Sequence, residues 1–290
     1  MKKILITGAN GFLGQHLVLH LHNRQYNVVA TSKGPARLPS SSIVYSPAEL
    51  TNLAEVASLM QTIKPDVVVH TAALSKPDEC EANRANCLAI NVEATQNLLR
   101  QKPAHFIYVS TDFIFGENGP HGEDAKVDPL NFYGQSKWLA EQEVRQSGIA
   151  YAIMRPAFIY GKVWPGLRPT FLQWVKNSLE SGKRIKVVSD QLRTPAFVND
   201  LCWGIEMMIS RQVTGDFHLA GRDVISPYDM AVTTAKVLGL DFSLIEDVTS
   251  ENFPEPVRRS KRSGLTIAKA EAELGYQPVS FAEGVRQTFL

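Results

Sequence analysis

A doubly wound α/β fold is what this 290-residue sequence predicts: a parallel sheet covered by helices, followed by a smaller, interleaved C-terminal lobe. Three observations carry that prediction. Short Val- and Ile-rich runs alternate with stretches of helical spacing through the first half. The first such run leads directly into a glycine loop and then a helix. After Gly161 the alternation breaks at Pro165 and Pro169, which begins the second lobe.

Each element follows from its residues. Lys3–Thr7 is a first strand, and the helix after the glycines runs to about Arg24. Tyr26–Thr31 and Ser42–Tyr45 read as the second and third strands, with helical spacing after Thr51. Asp66–His70 is Val-rich, as a parallel strand buried on both faces must be. Ala89–Gln101 reads as a helix, with Asn91, Ala94 and Leu98 at helical intervals, and His105–Ser110 as a fifth strand. Tyr133–Ser147 is a helix stopped by Gly148, and Ala150–Arg155 a sixth strand. Beyond it lie a helix near Phe171–Gly182, a strand at Arg184–Ser189 and the Pro195 turn. A strand at Asp216–Ala220 is placed to return to the main sheet, and Asp247–Ser263 reads as irregular and charged before a helix at Ala268–Leu274. Residues 1–161 thus form the first unit, completed by the strand near 216–220, and residues 162–290 mainly the second lobe.

Composition excludes several classes. The chain is 44% hydrophobic and 20% charged, with 30 Lys+Arg against 29 Asp+Glu and a formal charge of +1. That balance gives no electrostatic footprint for nucleic acid or an anionic membrane. The basic run Arg258–Arg262 reads as a solvated loop or a contact to a substrate phosphate. No stretch approaches the ~18 apolar residues a membrane span requires, and Lys2-Lys3 lead into a short strand, not a signal peptide. Cys80, Cys87 and Cys202 lack metal-ligand spacing, which fits a reduced, cytoplasmic protein. His16, His20 and His22 have no acidic or thiol partner nearby in sequence and read as polar decoration of a surface helix; no metal site is expected.

The chemistry is carried by three motifs. Gly8-Ala9-Asn10-Gly11-Phe12-Leu13-Gly14 sits between a strand and a helix. In a Rossmann-type unit, such glycines allow a tight turn, a close approach to a pyrophosphate and close helix packing. The second strand ends Thr31-Ser32-Lys33, with Arg37 behind and no acid. A hydroxyl and cations suit a 2′-phosphate, so NADP(H) is the preferred cofactor and NAD(H) a possible one. Tyr133 and Lys137, at i and i+4, share a helix face. An ammonium beside the phenol would lower its pKa and equip it for proton transfer near neutral pH.

The Gly8–Gly14 spacing, His70-Thr71-Ala72-Ala73 after the fourth strand and the Tyr133/Lys137 pair together resemble the extended short-chain dehydrogenase/reductase family. Ser110-Thr111-Asp112-Phe113-Ile114-Phe115 and Asp190-Gln191 are similar to segments of the dTDP-4-dehydrorhamnose reductases within it. That resemblance implies hydride transfer to a keto group on a nucleotide-linked sugar. Tyr133 would then supply the proton, Lys137 would bind the nicotinamide ribose, and Thr111 would hold the substrate oxygen. Asp112, Phe158 and Arg193 are the expected substrate contacts. Arg193 would reach a pyrophosphate or pair with Asp190 or Asp200. Phe158 stands where these reductases commonly have Trp, Arg193 where they have Gly, and His16 where some have a Glu associated with magnesium. The family also implies a possible homodimer. Phe113 after Thr111-Asp112 cannot transfer a proton, which argues against a dehydratase. A 4-epimerase stays open, as does a cofactor-binding regulatory subunit like the beta subunit of methionine adenosyltransferase.

Overall fold

The computed structural model describes residues 2–164, 166–251 and 256–290. Pro165 lies outside them, as do residues 252–255 of the charged segment. Seven parallel strands form the main sheet: β1 (Lys3–Thr7), β2 (Asn27–Thr31), β3 (Val44–Tyr45), β4 (Val67–His70), β5 (His105–Val109), β6 (Ala150–Pro156) and β10 (Gly215–Leu219), in the order β10-β6-β5-β4-β1-β2-β3. Between them, β7 (Ile159–Tyr160) pairs with β9 (Ala196–Phe197), and β8 (Ile185–Val188) pairs with β11 (Ile245–Val248), also in parallel. The central strands are buried on both faces, so each reads as a continuous apolar run.

Helices α1 (Phe12–Asn23), α2 (Leu53–Ile63), α3 (Pro77–Ala82), α4 (Arg84–Leu88), α5 (Ala94–Leu99) and α6 (Phe132–Gln146) belong to the first half. They are followed by α7 (Phe171–Glu180), α8 (Val198–Arg211), α9 (Pro227–Leu238), α10 (Ala268–Leu274) and α11 (Phe281–Phe289). One face of the sheet is covered by α1 and α8, whose Leu13, Leu17, Leu21, Leu201, Ile205 and Met208 share one core. The other face is closed by α2, α5 and α6 through Val56, Leu59, Leu98, Ala140 and Val144. A separate cluster joins Val175, Ile185, Val187, Ala235 and Ile245 of the C-terminal lobe.

The sheet order reverses at β1: β2 and β3 lie to one side, β4 and its successors to the other. In an open parallel sheet the crevice outside the strand ends at that reversal is where ligands bind. Here it brings Thr7 and His70 into adjacent register.

Several expectations are corrected. The helix expected over Ala89–Gln101 opens as a π-helical turn at Ala89–Glu93 and ends at Leu99. Asp247–Ser263 is not wholly irregular, because β11 occupies Ile245–Val248. Helix α8, of 14 residues, was not expected, nor were α3, α4, α9 and α11. The strand at 215–219 does return to the main sheet, pairing with β6 from Gly215↔Ala152 to Leu219↔Pro156.

Candidate active site

The glycine loop is dictated by what surrounds it. Gly8 has φ +66°, and a Cβ there would meet the Ala72 backbone nitrogen at 2.5 Å. Only glycine accepts both the left-handed backbone and that approach. Gly11 caps α1 with no side-chain hydrogen bond to the first turn, so the N–H groups and positive dipole end of a 12-residue helix face the crevice. That is a cradle a pyrophosphate fits. Asn10 fixes the neighbouring loop: its Nδ2 donates to the Pro35 carbonyl (3.0 Å) and its Oδ1 accepts from Arg37 N–H (2.8 Å).

Two clefts, each of about 410 Å³, meet at this loop and share Gly8, Gly11, Thr71 and Ala73. One extends past Asn10, Ala72, Ser32, Lys33 and Arg37 to Glu49. The other takes in Phe12, Leu13, Gly14, Thr111, Asp112, Tyr133, Lys137 and Phe158. Every expected cofactor residue and every expected catalytic residue therefore lines one continuous groove.

Gly134 explains how Tyr133 reaches Thr111. A Cβ at Gly134 would lie 2.1 Å from the Phe113 carbonyl oxygen, so α6 rests directly on the turn Asp112–Ile114. The Tyr133 phenol is buried and lies beside Thr111, with which it lines the same cleft. Thr111 Oγ1 also accepts from Phe113 N–H (3.2 Å) and lies 3.3 Å from Asp112 Oδ1. Asp112 is buried, and that burial holds its carboxyl above the usual range, against the pull of nearby Arg193.

The expected effect of Lys137 on Tyr133 is overturned. Burial raises the phenol well above its ordinary value, with Asp112, Cys80 and Cys87 adding to the shift. The Lys137 ammonium is engaged elsewhere, donating to the Val109 carbonyl (2.8 Å) and sitting 4.1 Å from the centre of the Tyr108 ring. Burial lowers Lys137 itself to about 7. Helical spacing put both residues on one face, but desolvation is the largest influence on each.

Beneath the groove lies a polar network built on Asn91 and His70. Asn91 Oδ1 accepts from Leu74 N–H (2.8 Å), and its Nδ2 donates to Leu74 O (3.1 Å) and Ser136 Oγ (2.9 Å). Ser136 donates in turn to Tyr133 O (2.8 Å). Asn91 thereby ties the 71–75 turn to α6 from within the π-helical turn, and a buried amide at mid-helix was the available signal. His70 is buried between Thr7 (2.7 Å) and Thr95 (3.1 Å) and kept neutral, its pKa lowered to about 3 by burial. Because the Thr95 hydroxyl donates to Asn91 O (2.8 Å), His70 Nε2 must carry the proton.

The substrate candidates divide. Phe158 lines the catalytic cleft with φ +38°, a rare backbone for a bulky residue. The Ala196 N–H holds it there by bonding both the Ala157 and Phe158 carbonyls (3.1 Å each). Arg193 pairs with neither Asp190 nor Asp200. It donates to Leu192 O, Ser260 O (both 2.8 Å) and Gln191 Oε1 (2.7 Å), behind Asp112. Asp190 binds Ser250 and Lys261, while Asp200 accepts from Val279 N–H.

Of the three N-terminal histidines, His16 and His20 are not surface decoration, while His22 meets the exposed Ser42 hydroxyl (3.0 Å). His16 is buried, 2.8 Å from the Lys162 carbonyl and 3.9 Å from the Trp164 ring centre, and its pKa falls to about 4. His20 meets Glu206 at 2.7 Å. They border a separate cleft of about 620 Å³, which holds neither Tyr133 nor Lys137. Among the described residues no group of three His, Cys, Asp or Glu is placed to hold a metal.

Residues 1–289 match the family described as the RmlD substrate binding domain. The chain is 30% identical over 93% of its length, and 91% of the relative's, to a probable low-salt glycan biosynthesis reductase, Agl14, of Haloferax volcanii. It is 25% identical to methionine adenosyltransferase 2 subunit beta of Danio rerio, covering 99% of this chain and 90% of that one. Among solved structures, dTDP-4-dehydrorhamnose reductase of Bacillus anthracis in complex with NADP superposes with a TM-score of 0.87. It is 26% identical, with 99% of this chain and 98% of that one covered.

Proposed function

The chain belongs to the RmlD substrate binding domain family, and from that premise we propose that it reduces a keto group on a nucleotide-linked sugar with NADPH. It is an NAD(P)-dependent oxidoreductase of the extended short-chain dehydrogenase/reductase type. The observation that carries the reading is that Thr111, Tyr133 and Lys137 line the same groove as Gly8, Gly11 and the free first turn of α1. The first turn of α1 and the backbone around Gly8 would hold the pyrophosphate, and Lys137 would bind the nicotinamide ribose. The cofactor, when bound, supplies the hydride.

The chain's own work is positioning and proton delivery. A phenol raised by burial stays protonated at neutral pH, so Tyr133 stands ready as an acid for the sugar oxygen as negative charge develops there. Thr111, beside that phenol in the cleft, holds the same oxygen. Asp112 backs Thr111, and Phe158 presents its ring to the sugar from a fixed backbone. Arg193 anchors the 260–263 segment behind Asp112.

The test is oxidation of NADPH, followed by its absorbance, on addition of dTDP-4-dehydrorhamnose and other 4-keto-6-deoxyhexose nucleotides. Loss of turnover in Tyr133→Phe, with cofactor binding kept, is the expected result. Tight cofactor binding without turnover on any keto-sugar would move the reading to a regulatory subunit, the role suggested by the methionine adenosyltransferase likeness. Sedimentation of the purified chain would test the homodimer.

A further inference from the structure

We propose that Glu49, by holding Lys33 in an ion pair, sets how strongly the groove prefers a 2′-phosphorylated nicotinamide cofactor over its unphosphorylated counterpart. This rests on the proposed use of such a cofactor. Ser32, Lys33 and Arg37, from the end of β2 and the loop beyond, line the same arm of the groove as Glu49, which comes from the loop after β3. The Lys33 ammonium lies 2.8 Å from Glu49 Oε2. The pairing raises Lys33 and helps to lower Glu49.

The acid is the anchored member of the pair. Its loop is laid against β2 by Ser46 N–H to Ala30 O (2.9 Å) and Ala48 N–H to Ser32 O (3.2 Å). Its second carboxylate oxygen accepts from Thr51 N–H (3.3 Å), and its own N–H donates to Glu55 (2.8 Å). The Glu49 side chain is 30% exposed, against 82% for Lys33.

A 2′-phosphate arriving here carries about two negative charges. It finds Lys33 committed and a fixed carboxylate beside it, so Glu49 opposes it both by competition and by repulsion. A 2′-hydroxyl meets the opposite situation, because the carboxylate is an acceptor for it. That is the service an acid at the end of the second strand ordinarily performs, and β2 of this chain ends without one. Lys33 and Arg37 therefore favour NADPH, while Glu49 moderates the preference and keeps NADH usable.

The experiment is equilibrium titration of the wild-type chain, Glu49→Gln, Lys33→Gln and the double variant with NADPH and with NADH, at low and high salt. Glu49→Gln should tighten NADPH about 5-fold at low salt, leave NADH unchanged or weaker, and lose most of that gain at high salt. In the Lys33→Gln background the same substitution should change the NADPH-to-NADH ratio far less. A ratio unaltered by Glu49→Gln, or altered equally with and without Lys33, overturns the proposal while leaving the cofactor reading intact. Failure of the wild-type chain to bind either nucleotide overturns both.

Discussion

At the scale of single residues, burial decides the chemistry of Tyr133 and Lys137 more than their spacing does. Tyr133→Phe keeps the ring and removes the proton, so turnover should fall about 10²- to 10⁴-fold with little change in NADPH affinity. Single-turnover and titration measurements separate the two. Lys137 carries a pH signature. Its folded pKa of about 7 lies below its ordinary value of 10.5, so between those values the unfolded chain holds a proton that the folded chain does not. Stability should therefore rise with pH across that window. Urea unfolding without added cofactor, at neutral and alkaline pH, should show wild type gaining on Lys137→Met as pH rises; parallel curves would refute it. The motif was legible because Tyr, Lys and Thr111 must be those residue types. The direction of the pKa shifts was not, since it depends on what covers the side chains.

At the scale of elements, two contacts set the groove. Helix α6 is pressed onto the Asp112–Ile114 turn at Gly134. Gly134→Ala should force the two apart, cost about 1–3 kcal/mol and lower turnover by separating Tyr133 from Thr111. Denaturation and rate measurements on the same variant would show both effects. On the other side of α6, buried Glu141 accepts from Arg155 Nε (3.0 Å) and Nη2 (2.8 Å), and Arg155 also reaches Asp216 of β10 (2.7 Å). Removing Glu141 leaves buried Arg155 with partly exposed Asp216 as its remaining acid, so Glu141→Gln should destabilise by about 3 kcal/mol. A shift in the urea midpoint without altered cofactor stoichiometry checks it. Strand cores and glycine-marked turns were readable because apolar runs and special backbones leave strong signals. Helices α8 and α9 were not, because in a stretch of mixed apolar and polar residues the choice of helix is made by the surface it lies on.

At the scale of the whole molecule, chain order and spatial order part company. Helix α8 and strand β10 follow the first elements of the C-terminal lobe, yet they complete the layers of the main sheet. The crossing makes the two parts interdependent. Phe217, fully buried on β10, should cost about 3–5 kcal/mol when truncated to Ala. That loss should appear in cofactor binding and in lobe fluorescence at the same denaturant concentration. Two separated transitions would contradict it.

The sequence by itself determined the parallel sheet, the glycine loop at its first turn and the Thr, Tyr and Lys that face the groove. These depend on local backbone demands and on residue types that nothing else can replace. Only the tertiary structure decided that Glu49 meets Lys33, that Arg193 serves the protein's own backbone, that His16 is buried against Trp164 and that Asn91 braces α6. In each case the partners lie far apart in the chain or beyond a turn, and burial and the direction of a side chain exist only once the layers have closed.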